Sequence, residues 1–256
     1  MKDTVFSLKH GRLLARLVFL GGLPLLLSCQ RTWQVLPQVQ ESVVPVSPAV
    51  EADARAEATI APYREQVQQK ILEVIGRAPV PLRKEVGESP LGNFVTDLML
   101  QQARTLSSGP VDLAVVNQGG LRNPLPEGDI TVEHVFELMP FENELVILTL
   151  TGRTLQELFT YAASRQDAPM ANATYAVQDG QARDIRINGE PLDPTKTYRV
   201  ATIDYFAGGG DQATFFAQAL ATETTGLTLR DAIIHHIRSL TASGQPVTAE
   251  IEGRVK

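Results

Sequence analysis

Residues Val111 to Arg122 read VDLAVVNQGGLR. The first half, Val111–Val116, is a short apolar run fenced by Gly109-Pro110 on one side and Asn117 on the other. That is the pattern of a buried strand. The second half puts two glycines between an amide and a guanidinium. Paired glycines reach positive φ without steric cost, so a tight polar turn follows the strand.

Working outward, Asp53 to about Ala78 carries Ile60, Val67, Ile71 and Ile75 at helical spacing, with Pro62 as a point of interruption and Gly76 as a stop. Pro90 to Thr105 reads as a second helix, Pro90 following Ser89 and Leu91, Phe94, Val95, Leu98 and Met99 sharing one face. Ile130 to Leu138 is a brief strand and helical turn. Glu144 to Leu150 (ELVILTL) is the clearest strand, and Arg153 to Ser164 a helix after Thr151-Gly152. Short strands are expected at Thr174–Val177, Ala182–Asn188 and Thr197–Ile203, with Asn188-Gly189 as a hairpin turn. A helix over Leu229–Leu240 and a closing strand over Val247–Val255 complete the chain. Strands and helices mix without regular βαβ alternation. The fold class is therefore α+β (mixed α/β): a single domain over 53–256 with a mixed sheet flanked by helices.

Composition bounds function. The chain has 256 residues, and its 43% apolar content suffices for one sizeable core. A net charge of -6 leaves no basic surplus to neutralise phosphates, so nucleic acid is not an expected partner. One cysteine excludes an intrachain disulfide framework and a Cys-rich zinc site.

The N-terminus is read as a targeting segment. Lys2, Lys9, Arg12 and Arg16 form a basic region, and Leu17 to Leu27 an apolar run too short to span a bilayer comfortably. The run ends in Leu26-Leu27-Ser28-Cys29, which resembles the lipobox of bacterial lipoproteins, with Leu27 bulkier than that pattern prefers. The resemblance implies a signal peptide over 1–28, lipidation of Cys29 and export. Gln30 after the cysteine implies an outer-membrane anchor facing periplasm or surface. Residues 29–52, with three prolines and no periodicity, read as a tether.

Four stretches concentrate unusual residues: Gly92-Asn93 at a helix start, Asn117 to Arg122, Pro140-Phe141-Glu142-Asn143, and Tyr205-Phe206-Ala207-Gly208-Gly209-Gly210-Asp211. All but the first sit beside strand ends, where binding loops gather. Taken singly, each also reads as a tight turn or a loop with one buried aromatic.

In this order and at these intervals the stretches resemble the C-terminal, substrate-binding domain of bacterial and animal 5′-nucleotidases, from about Arg83 to the end of the chain. The resemblance is carried by N-x-G-G-[hydrophobic]-R, then Gly128-Asp129-Ile130-Thr131 and P-F-x-N, then the aromatic and Gly-Gly-Asp loop; Gly92-Asn93 opening a helix with Asp97 in its second turn also matches. It implies a 5′-nucleotidase C-terminal-domain-like fold. It implies that Asn117 and Arg122 lie near ribose and phosphate, and that Phe141 and Tyr205 clamp the base, with Phe206 as the next aromatic to consider. Asp211 would take the ribose hydroxyls and Asn143 read the base edge. Gly208, Gly209 and Gly210 would let backbone approach the sugar, and Gly119 and Gly120 belong to the same substrate-binding set. The chemistry agrees: a base needs stacking faces, a vicinal diol a carboxylate acceptor, and a phosphate an always-charged guanidinium. One departure is that Glu85 or Gly87 stands where the family often has another arginine, with Arg83 and Lys84 a few residues earlier.

The family's other half is a two-metal phosphoesterase with D-x-H, N-H-[DE] and further histidine ligands. This sequence has no D-x-H and no N-H pair. His134, His235 and His236 read as structural, the last two pointing about 100° apart on a helix. No nucleophile elbow or P-loop occurs. No catalytic residue, metal site or cofactor is therefore expected in this chain, and the divalent metal pair would belong to a separate metallophosphoesterase subunit. The expected function is the nucleoside- or nucleoside-monophosphate-binding half of a split 5′-nucleotidase in nucleotide catabolism. The alternative is a surface lipoprotein that captures nucleosides or is purely structural.

Overall fold

The computed structural model describes Ser47 and residues 50–256. The expected export signal, Cys29 and most of the expected tether lie outside the described residues.

Asp53 caps the first helix, α1 (Ala54–Ile71), its carboxylate accepting from the backbone N–H of Arg55 and Ala56. Pro62 sits inside α1 without ending it. The helical reading of 53–78 fails beyond Leu72. Val74–Ala78 is strand β1, with Ile75, Gly76 and Ala78 buried. A Cβ on Gly76 would lie 2.5 Å from Ile237 Cγ2, so the glycine lets the last helix pack directly on this strand.

Most of the remaining elements follow the sequence reading, while strands at 170–171, 190–191 and 221–228 were not expected. Helix α2 (Pro90–Leu106) is capped by Ser89, whose Oγ accepts from Gly92 N–H. Next come β2 (Leu113–Val115), β3 (Gly128–Thr131), α3 (Val132–Leu138), β4 (Glu144–Thr151) and α4 (Gly152–Arg165). After them lie β5 (Met170–Ala171), β6 (Ala173–Gln178), β7 (Gln181–Ile187), β8 (Glu190–Pro191), β9 (Thr197–Ile203) and the single turn α5 (Asp204–Ala207). Strand β10 (Ala221–Thr228) and helix α6 (Leu229–Ala242) end the regular structure. Asn188 and Gly189, both at positive φ, make the turn between β7 and the short β8.

The central sheet has the order β10-β4-β9-β2-β5, with β2 and β9 parallel and every other pair antiparallel. The consecutive run Leu145–Leu148 of β4 is buried, as expected of an interior strand covered on both faces. Helices α2, α4 and α6 flank the sheets, so the fold is mixed α+β. Residues Asp53–Lys256 cluster as one unit. Among the described residues no helix is long and apolar enough to cross a membrane.

The expected closing strand over 247–255 is not a ladder strand. Val247 N–H bonds Arg77 O, and Val255 makes one isolated bridge to Tyr175. Backbone bonds join Arg254 and Lys256 to Tyr175 and Val177 of β6, and side chains hold the rest of the segment. The Glu88 carboxylate accepts from the backbone N–H groups of Glu252 and Arg254, and Arg254 pairs with Asp97 and Glu252. Asn93 donates to Glu88 and to the carbonyl of Glu250. The Gly92-Asn93 stretch is thus a clasp on the C-terminal segment.

Candidate functional site

Strand direction brings three loops together. Strands β2 and β9 run parallel, with Ala114 opposite Ala201, so the loops that leave them emerge at one end of the sheet. Strand β4 runs against β9, with Leu145 opposite Ile203, so the chain entering β4 lies at that same end. Asn117–Arg122, Phe141–Asn143 and Tyr205–Asp211 therefore meet although they lie far apart in sequence.

Between them is a cavity of about 340 Å³, lined by Asn117, Gly119, Gly120, Arg122, Phe141, Asn143, Tyr205 and Asp211. Its aromatic rings are not core residues: Phe141 is 36% and Tyr205 47% exposed. Four of the residues singled out in the sequence, Phe206, Gly208, Gly209 and Gly210, do not line it. Phe206 is fully buried, its ring edge-on to Phe216 at 5.2 Å, and Gly209 supplies only the left-handed turn (φ 90°) that starts the loop's second half. Gly210 has a different use from close approach to a sugar. A Cβ there would stand 2.4 Å from Tyr205 Cε1, so the glycine makes room for the ring.

Hydrogen bonds order the polar wall. Asn117, 5% exposed, donates through Nδ2 to Asp211 Oδ2 at 2.7 Å, and Tyr205 OH donates to Asp211 Oδ1 at 3.0 Å. A carboxylate only accepts, so the Asn117 amide must turn its NH₂ to Asp211. Its Oδ1 is then buried and bonded to nothing among the described residues. Asp211 adopts φ 52°, ψ 28°, and Tyr161 OH holds its carbonyl at 3.0 Å. Burial, aided by the nearby charge of Asp167, pushes the Tyr161 hydroxyl up to about 12, so it remains a donor. The Arg122 guanidinium is exposed and lies 5.2 Å from the centroid of the Phe141 ring. Lys84, near the position where another arginine was expected, donates to Leu121 O at 2.6 Å and so braces the same loop.

Sequence reasoning passed over Tyr161, which looks like one more residue on an amphipathic helix. It also passed over Arg230, although a cation in the first turn of α6, where acids are favoured, was a readable signal. His134 and His236 are engaged structurally, and His235 is exposed on α6. His134 Nδ1 accepts from Thr131 N–H at the start of α3, and the His236 ring packs on Phe94 at 5.6 Å. Burial, opposed by Asp97, lowers the His236 pKa. Among the described residues no group of three His, Cys, Asp or Glu could hold a metal ion.

The family model "5'-nucleotidase, C-terminal domain" matches residues 74–222. The chain belongs to the 5′-nucleotidase C-terminal domain family. It is 34% identical over 152 residues to Protein UshA of Escherichia coli, covering 57% of this chain and 26% of that protein. It is 28% identical over 236 residues to the trifunctional nucleotide phosphoesterase protein YfkN of Bacillus subtilis, covering 84% of this chain and 16% of the relative. The crystal structure of a 5′-nucleotidase precursor from Thermus thermophilus superposes with a TM-score of 0.67 at 29% identity, over 79% of this chain and 43% of that one. The chain thus spans about a quarter or less of these two curated relatives.

Proposed function

We propose that this chain is the nucleoside- and nucleotide-binding half of a 5′-nucleotidase, whose metal-bearing catalytic half is a separate metallophosphoesterase. The cavity carries the reading: two exposed aromatics, a pre-oriented carboxylate, an orphaned buried amide oxygen and an exposed guanidinium line one space of about 340 Å³. That volume suits a small ligand. The base stacks on Phe141 and Tyr205, and Asn143 reads its edge. The ribose hydroxyls donate to Asp211 and to Asn117 Oδ1. Arg122 meets the phosphate oxygens, and Gly119 and Gly120 keep the loop close to the sugar. The chain's part in hydrolysis is to bind and orient the substrate, and the metal pair that activates water lies on the partner. Cys29 carries the lipid that anchors the exported protein, a point checked by mass spectrometry of the mature N-terminus.

Calorimetry of the whole chain with adenosine, AMP and inorganic phosphate tests the reading. Adenosine and AMP are expected to bind below the millimolar range. Absence of binding by all three, with and without a metallophosphoesterase, overturns it. In a phosphatase assay the chain alone is expected to show no turnover of AMP stimulated by zinc, manganese or cobalt. Turnover that survives repurification overturns the division of labour.

A further inference from the structure

Arg230 is the second residue of α6 and is only 7% exposed. A buried guanidinium needs partners, and those of Arg230 all lie on one stretch of chain. Its plane lies over the Phe136 ring, 4.3 Å from the centroid. Its Nη1 donates to Phe141 O at 3.4 Å, and its Nη2 pairs with the Glu142 carboxylate. The preceding residue of α6, Leu229, donates its N–H to Asn143 O at 2.9 Å. Among the described residues, every hydrogen bond made by Phe141, Glu142 and Asn143 thus comes from the first two residues of α6.

We infer that Arg230 is a positioning residue for the stacking face of Phe141. It is not itself part of the cavity lining. It fixes the backbone from which the Phe141 ring is presented, so that the ring is ordered before a base arrives. The inference rests on the nucleoside reading of the cavity and adds a determinant outside its lining. An arginine is required because its planar fork reaches a carbonyl and a carboxylate together while its face lies on Phe136, whereas lysine offers one point charge.

The test is calorimetric titration of the whole chain with adenosine. Arg230→Met keeps an apolar stem on Phe136 and removes the fork. Its adenosine affinity is expected to fall about 2- to 12-fold, the cost of ordering one side chain on binding. In a Phe141→Ala background the same change is expected to have no effect, because the ring it positions is gone. Arg230→Lys is expected not to restore affinity. An unchanged affinity, or an equal loss with and without Phe141, overturns the inference while leaving the nucleoside reading intact. A wild-type chain that binds neither adenosine nor AMP overturns both. Should Arg230→Met fail to fold, Glu142→Ala replaces it, since the Glu142 side chain is 79% exposed. Its expected loss is about twofold and again confined to chains that retain Phe141, and no loss overturns the inference.

Discussion

Asn117 Nδ2 and Asp211 Oδ2 lie 2.7 Å apart, joining the loop after β2 to the loop after β9 across 94 positions of sequence. With Tyr205 OH on Oδ1, each oxygen of Asp211 already holds one donor. A carboxylate oxygen accepts about two hydrogen bonds, so one position remains on each. Two parallel acceptors on neighbouring oxygens match a vicinal diol.

Asp211→Asn would put an NH₂ against the Asn117 NH₂, or against the Tyr205 hydroxyl, which must then turn its proton away and accept. It also removes the charge that strengthens bonds to hydroxyls. A hydrogen bond to a charged group is worth about 1.5–3 kcal/mol, so adenosine affinity is expected to fall about 10- to 150-fold. Free adenine makes no use of this carboxylate and is expected to change little. Parallel titrations of the two ligands check the difference, and an equal loss for both would remove Asp211 from the ribose role.

Gly210→Ala tests whether the loop shape serves the Tyr205 ring. The added methyl would sit 2.4 Å from Cε1 and 2.6 Å from the Tyr205 carbonyl, so the ring must swing away and the loop backbone must shift with it. Loss of one stacking face costs about 1–3 kcal/mol, a fall of about 5- to 150-fold in nucleoside affinity. The melting temperature is expected to move by only a few degrees, because Gly210 and Tyr205 both lie outside the core. A normal affinity in this variant would show that Tyr205 does not stack on the ligand.

The elements with long apolar runs were legible in the sequence. Strand β4 and the faces of α2, α4 and α6 fall within a residue or two of the reading. Strand β1 was not, because Ile71 and Ile75 continue a helical spacing across a real boundary. Strand β10, ATETTGLT, was missed because an edge strand with mostly exposed side chains carries no apolar alternation. The alternation over 247–255 is real, but only Val247 N–H bonds a neighbouring strand, and the N–H groups of Glu252 and Arg254 go to the Glu88 carboxylate. The cavity's residue types were readable one by one. Their convergence was not, because it depends on β2 running parallel to β9 and β4 against it. Phe206 and Tyr205 are adjacent in sequence, and only the direction of the turn separates a core ring from a cavity ring.

The C-terminal clasp and His236 together make the fold acid-sensitive in two stages. Burial pushes the Glu88 carboxyl up, but the Asn93 amide and the N–H groups of Glu252 and Arg254 outweigh it and leave the pKa below the usual 4.5. A carboxyl with a depressed folded pKa adds stability above pH 4.5, and that stability is lost as pH falls through the lowered value. His236, whose burial favours the neutral ring, loses its contribution earlier, as pH falls below 6.5. Melting temperature against pH is expected to show a shallow decline below 6.5 and a steeper one below 4.5. Glu88→Ala strands three donors. Near neutral pH it is expected to cost about 3 kcal/mol, or about 6–12 °C, and to abolish only the lower stage.

Arg122 separates phosphate recognition from base recognition. Its guanidinium is exposed beside the Phe141 ring, and the loop that carries it is braced by Lys84 on Leu121 O and by its own N–H on Leu138 O at 2.7 Å. Arg122→Ala removes a cation–π contact of about 0.5–1 kcal/mol, so adenosine is expected to weaken by no more than about fivefold. AMP loses in addition the charge-assisted bonds to its phosphate, about 1.5–3 kcal/mol, and is expected to weaken a further 10- to 150-fold. Arg122→Lys keeps the charge without the two-pronged donor and is expected to fall between the two. Because the group is exposed, the AMP affinity of the wild type is expected to decline with added salt while that of adenosine holds steady. Equal losses of AMP and adenosine in Arg122→Ala would mean that this arginine supports Phe141 and that the phosphate is gripped from the phosphoesterase side.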